Sequence, residues 1–207
     1  MSGVHSSRQA SDVSVPQPTT AQLRHKPRLI VNTGDGKGKS TAAFGLGLRG
    51  WARGWSVGFF QFIKSGRWRT GEQQSYAELA AIHERSGVGG PVEWQCMGEG
   101  FSWIRATRDT DQAALAAAGW NHVRELMAAQ THQLYILDEF THVLNKGWLD
   151  ADLVAAQLLA RPGTQHVVIT GRHCPRAIVD VADIVTSMDK VKHPFDVGER
   201  GQMGIEW

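Results

Sequence analysis

The run Arg28-Leu29-Ile30-Val31-Asn32-Thr33-Gly34-Asp35-Gly36-Lys37-Gly38-Lys39-Ser40-Thr41 admits few folds. It reads as a short buried strand, a glycine-rich turn, then Lys-Ser-Thr at the mouth of a helix, the order a triphosphate cradle requires. Successive backbone N–H groups of such a turn converge where the helix dipole also favours negative charge. Gly34, Gly36 and Gly38 let the backbone come close and take positive φ without a Cβ clash. Lys39 supplies a point charge for phosphate oxygens, and the Ser40 hydroxyl is placed to ligate Mg²⁺. One position departs from the usual pattern: the first glycine belongs at position 33, which is Thr33.

A cradle of this kind needs a sheet behind it, and 207 residues suffice for one domain with a proper core. Residues 1–26 are rich in Ser, Gln and Thr with Pro16 and Pro18 and lack apolar periodicity, so they are expected to form a flexible arm. The domain is expected over 27–207. Strands are expected at Leu29–Asn32, Ser56–Phe62, Val92–Cys96, Leu134–Leu137, His166–Thr170 and Ile184–Ser187. Helices are expected at Lys39–Arg53, Glu72–Glu84, Asp109–Ala129, Asp150–Ala160 and from Pro175. In the first helix Phe44, Leu48 and Trp51 form an apolar row, and Ala43, Gly47 and Gly50 form a row of small residues that lets it sit close to a sheet. Along the third helix Ala113, Ala116, Trp120, Val123 and Met127 share one face. Apolar strands alternating with amphipathic helices predict a three-layer α/β P-loop (RecA-like) domain around a mostly parallel sheet.

A formal charge of +2 provides no strong field for nucleic acid or acidic membranes. Cys96 and Cys174 stand far apart, as in a reduced cytosolic protein. No apolar run is long enough to span a bilayer, and the N-terminal stretch has no apolar h-region. A cytoplasmic location is the expectation. His83, His122, His132, His142, His166 and His173 show no paired ligand spacing, and most of them are expected at the surface or at caps, while the role of His193 is open.

Two further segments bear on the nucleotide. Leu134-Tyr135-Ile136-Leu137 stops at Asp138-Glu139, and a strand ending there is expected beside the cradle strand, reaching the metal directly or through water. Arg172 follows another strand end, where it serves equally well as a phosphate contact or as a surface arginine.

The run Thr33–Gly45 resembles the opening of the ATP:corrinoid adenosyltransferases, the cob(I)alamin or cob(I)yrinic acid a,c-diamide adenosyltransferases of cobalamin biosynthesis and salvage. Gln61-Phe62-Ile63-Lys64, Gly100-Phe101-Ser102-Trp103, Leu137-Asp138-Glu139-Phe140-Thr141, Ile169-Thr170-Gly171-Arg172, the tail Val191–Asp196 and Gly204-Ile205-Glu206-Trp207 fit the same family in order. The family carries the unusual loop as well, though Asp35 stands where it often has Asn and Ser40 where it often has Thr.

The resemblance implies that Co(I) of a reduced corrinoid attacks C5′ of ATP and triphosphate leaves. By carry-over, Gly34 to Thr41 and Arg172 bind ATP, with Lys39 neutralising the leaving group. Ser40 and Glu139 hold Mg²⁺ or Mn²⁺, with Asp138 acting through water. Phe101 and Trp103 lie below the corrin and displace its lower axial ligand, which eases reduction by a flavoprotein. A homodimer is implied too. The competing readings are a RecA-like ATP-dependent switch or nucleic-acid-binding ATPase, resting on Lys64, Arg67, Trp68 and Arg69, and a small-molecule kinase.

Overall fold

The computed structural model describes residues 19–20, 25–63, 70–97 and 109–205. Phe101 and Trp103, Lys64 to Arg69 of the basic loop, most of the expected arm, and Glu206-Trp207 lie outside the described residues.

Six strands form: β1 (Leu29–Thr33), β2 (Val57–Gln61), β3 (Val92–Cys96), β4 (Leu134–Asp138), β5 (His166–Thr170) and β6 (Ile184–Ser187). They make one sheet in the order β3-β2-β4-β5-β1-β6, and every pairing is parallel. The connections carry α1 (Lys39–Trp51), α2 (Gly71–Ser86), α3 (Asp109–Ala128), α4 (Phe140–Asn145), α5 (Ala151–Leu159) and α6 (Arg176–Val181). A 3₁₀ turn at Pro194–Val197 closes the described fold. The expected element list holds, apart from α4 and this turn, which the sequence pattern does not announce.

Helix boundaries follow local chemistry. Thr70 Oγ1 accepts from the Gln73 N–H to start α2, and Gly87 ends it in the left-handed region. Asp150 Oδ1 accepts from the Asp152 and Leu153 N–H groups to start α5.

Strand alternation then divides the core in two. On one face Leu29, Val31, Phe60, Tyr135, Leu137, Val167 and Ile169 pack against α3, α4, α5 and α6 through Trp120, Val123, Phe140, Val143, Leu158 and Ile178. On the other, Val57, Phe59, Leu134, Ile136 and Val168 meet Ala43 and Phe44 of α1 and Tyr76 of α2. The expected α3 row is buried at Ala116, Trp120, Val123 and Met127. The expected α1 apolar row is only partly inside, because Leu48 turns outward.

Two corrections follow from the sheet. β4 does not lie beside the cradle strand: β5 separates them, since β4 pairs with β2 and β5, and β1 with β5 and β6. Strand order is set by crossovers, which no local pattern encodes. His132 is buried and not superficial: its Nδ1 meets Ser56 Oγ at 2.8 Å and its Nε2 meets Glu93 Oε2 at 2.8 Å, joining β3 to the starts of β2 and β4. Burial lowers its pKa, and Glu93 opposes that shift.

The small-residue row of α1 lets the helix press onto the sheet. A Cβ on Gly47 would meet Phe59 Cζ at 2.6 Å, in a cluster where Phe59 stacks on Trp94 with centroids 4.7 Å apart. Gly47→Ala is therefore expected to destabilise the fold by about 1–3 kcal/mol through overpacking, despite alanine's better helix propensity. Urea denaturation checks this, and an equal or higher midpoint contradicts the close approach.

Candidate functional site

The carboxyl ends of β1, β4, β5 and β6 lie on one side of the sheet, where ligands of open α/β folds bind. A cavity of about 1110 Å³ opens there. Thr33, Gly34, Asp35 and Lys37 line one side, Arg172 and His173 another, and the segment after β6 the rest.

The loop between β1 and α1 takes the expected positive φ at Gly34 (+95°) and at Gly38 (+107°), which caps α1, but not at Gly36, where the glycine serves close approach alone. Its crowding has an unexpected source. A Cβ on Gly36 would meet the Asp189 carbonyl at 2.6 Å, and the Gly36 N–H donates to the Met188 carbonyl at 2.7 Å. The chain after β6 thus buttresses the loop from behind. Asn32 Nδ2 donates to the Lys39 carbonyl at 3.2 Å, tying the start of α1 to β1.

Lys39 is buried, and its Nζ donates to the Gly36 carbonyl at 2.6 Å. Burial lowers its pKa, assisted by the charge of Arg172, while Glu139 and Asp35 pull the other way. Residues 35, 37, 39, 139 and 172, each taken from the sequence as a site residue, therefore share one electrostatic neighbourhood. Ser40 is half-buried at the first turn of α1, and Thr41 is exposed beside it.

Asp138 occupies a different layer. It is fully buried, with Oδ2 accepting from Gln61 Nε2 at 2.9 Å and Oδ1 from Thr170 Oγ1 at 2.8 Å. Thr170 Oγ1 in turn accepts from the Glu139 N–H at 2.9 Å. Glu139 has φ +57°, a left-handed backbone that costs a non-glycine residue about 1–3 kcal/mol and marks sites held by their surroundings. The inner carboxylate fixes the outer one. Gln61 and Thr170 are functional neighbours that sequence reasoning missed, although both fall inside segments it singled out.

The Arg172 carbonyl accepts from Thr141 Oγ1 at 2.7 Å and Asn145 Nδ2 at 3.0 Å, so α4 positions this arginine at the cavity. Cys174 also borders the cavity, but burial pushes its thiol up to about 11, where it stays protonated and unreactive at neutral pH. Among the described residues no cluster of three His, Cys, Asp or Glu groups could hold a metal by itself. Phe101 and Trp103 lie outside the described residues.

Residues 25–207 match the family described as ATP:corrinoid adenosyltransferase BtuR/CobO/CobP. The chain is 42% identical over 179 residues to "Corrinoid adenosyltransferase CobA" of Salmonella typhimurium, spanning 86% of this chain and 85% of that one. It is 38% identical over 204 residues to "Corrinoid adenosyltransferase" of Pseudomonas aeruginosa, spanning 98% and 95% respectively. A protein of the same description from Escherichia coli K12 is 40% identical over 179 residues, covering 86% of this chain and 85% of its own length.

Thr170→Val keeps the side-chain shape and leaves an Asp138 oxygen and the Glu139 N–H without this partner. The expected cost is about 1–3 kcal/mol of stability, read as a lower urea midpoint. Wild-type stability in this variant contradicts the bridging role of Thr170.

Proposed function

The chain belongs to the ATP:corrinoid adenosyltransferase family, an enzyme family that transfers the adenosyl group of ATP to a corrinoid, and we propose how its cradle residues perform that transfer. The supporting observation is that Asp35, Lys37 and Arg172 line one cavity, beside a thiol kept protonated by burial, and that together with Glu139 they act electrostatically on the buried Lys39 of the same loop.

Co(I) of the reduced corrinoid is itself the nucleophile, so the protein need not activate one. Its electron pair forms the cobalt–C5′ bond as the C5′–O5′ bond breaks, and the bonding pair leaves with triphosphate. The protein's tasks are to orient C5′ toward cobalt and to neutralise the departing polyanion. Lys39 exchanges the Gly36 carbonyl for a phosphate oxygen. Lys37, Arg172 and the N–H groups of the first turn of α1 complete the charge balance, with Gly34 to Thr41 wrapping the phosphates.

The donor set fits a hard divalent cation such as Mg²⁺ or Mn²⁺. Ser40 and Glu139 offer oxygens at the loop, while Asp138, committed to Gln61 and Thr170, acts through water and by fixing Glu139. Such an ion, when bound, supplies further charge neutralisation on the phosphates.

Phe101 and Trp103 are assigned to the lower face of the corrin, where they displace the axial ligand and ease reduction of Co(II) by a flavoprotein. The substrate is cobalamin or its a,c-diamide precursor. We further assign 27–207 as the catalytic domain with 1–26 as an arm, a homodimeric state, and a cytoplasmic location. Among the described residues no helix is long and apolar enough to cross a membrane.

Incubation under strict anoxia with ATP, Mg²⁺ and chemically reduced cobalamin should yield light-sensitive adenosylcobalamin and intact triphosphate. ADP with a phosphorylated acceptor, or ADP with free phosphate, contradicts the reading. Lys39→Ala should lower turnover by about 100-fold or more with the circular dichroism spectrum retained. Activity near wild type removes Lys39 from the mechanism. Phe101→Ala should lose more activity in assays that begin from Co(II) and a reductant than in assays that begin from Co(I). Equal losses contradict the axial-ligand role.

A further inference from the structure

The mechanism above leaves one acidic group of the loop without a task. Asp35 places a carboxylate at the cavity that receives a polyanion, and like charges at such distances repel. Glu139 is accounted for by the cation. Asp35 is not, and the family resemblance puts a neutral Asn at its position.

The structure sets a histidine against it. His173 Nε2 lies 3.6 Å from Asp35 Oδ1, and both residues line the same cavity. That spacing suits an ion pair in loose contact and exceeds a hydrogen bond. The His173 side chain is 73% exposed, so the ring has room to reorient. Its backbone is held firmly. The Arg172 carbonyl before it is gripped by Thr141 and Asn145 of α4. The Cys174 N–H after it donates to Thr33 Oγ1 at 3.1 Å, so the turn is fastened to the cradle strand itself.

His173 adopts φ +51°, a region that disfavours residues with a Cβ. A bulky ring therefore stands where local backbone preference calls for glycine or asparagine, 3.6 Å from the unexplained carboxylate. Protonated, an imidazole offers N–H donors on both sides of the ring, one for a carboxylate and one for a phosphate oxygen.

We propose that His173 is a further triphosphate-binding residue, paired with Asp35 so that it neutralises the loop carboxylate and presents a donor to the phosphates. The inference rests on the ATP reading given above. It makes Asp35 and His173 a coupled pair: the acid at the loop is tolerated because the base faces it. Loss of the histidine should then matter most while the acid remains.

Calorimetric titration with inorganic triphosphate tests this in wild type, His173→Gly, Asp35→Asn and the double variant. Glycine suits the left-handed backbone, so His173→Gly should keep the thermal midpoint of wild type. It should bind triphosphate about tenfold more weakly, the scale of a charge-assisted hydrogen bond. In the Asp35→Asn background the same substitution should cost about threefold or less. Adenosine, which lacks phosphates, should bind all four proteins alike. Unchanged triphosphate affinity in His173→Gly overturns the inference, as does an equal loss in both backgrounds. Wild-type protein that binds triphosphate but forms no adenosylated corrinoid would instead overturn the reaction assigned above and leave the pairing standing.

Discussion

A single buried carboxylate organises the working end of this sheet. Asp138 takes one hydrogen bond from Gln61 at the end of β2 and one from Thr170 at the end of β5, so three neighbouring strands are tied together where they deliver their side chains. A charge buried this deeply is tolerated only when hydrogen-bonded on its available sides, which makes the arrangement intolerant of substitution. Its effects reach outward. Thr170 also accepts from the Glu139 N–H and so holds Glu139 in a left-handed backbone, and α4 begins there and carries Thr141 and Asn145 to the Arg172 carbonyl. The Glu139 carboxylate, and the Arg172 guanidinium on the cavity wall, thus both depend on one interior group.

The opposite wall depends on the loop. Its glycines are squeezed by the protein's own chain after β6, with the Gly36 N–H spent on Met188. Lys39 rests on the Gly36 carbonyl, and burial, assisted by the charge of Arg172, lowers its pKa. On the function proposed above, positive charge gathers where a leaving triphosphate needs it. Chemistry that begins from a strong external nucleophile asks for little more, and this is the demand that adenosyl transfer to Co(I) makes.

Much of this was legible in the residues. Strands buried on both faces appear as short continuous apolar runs, and β2, β4 and β5 fall where those runs place them. The cradle is local in sequence and therefore readable. α4 escaped because six residues hold too little periodicity. The position of β4 was misjudged because order across a sheet is decided by crossovers, and the same blindness hid Thr170 and Gln61 as partners of Asp138. His132 was misplaced for a related reason: Ser56 and Glu93 lie 76 and 39 residues away along the chain. His173 and Asp35 likewise meet only through the fold.

The central claim is that the cradle grips the nucleotide's polyanionic end so that a ribose carbon faces the acceptor. A crystal structure of the ternary complex with ATP and a Co(II) corrinoid measures it directly. The account predicts triphosphate over the loop between β1 and α1 and C5′ as the nucleotide atom nearest cobalt. A γ-phosphorus turned toward the corrinoid, with C5′ held away from it, would contradict the account.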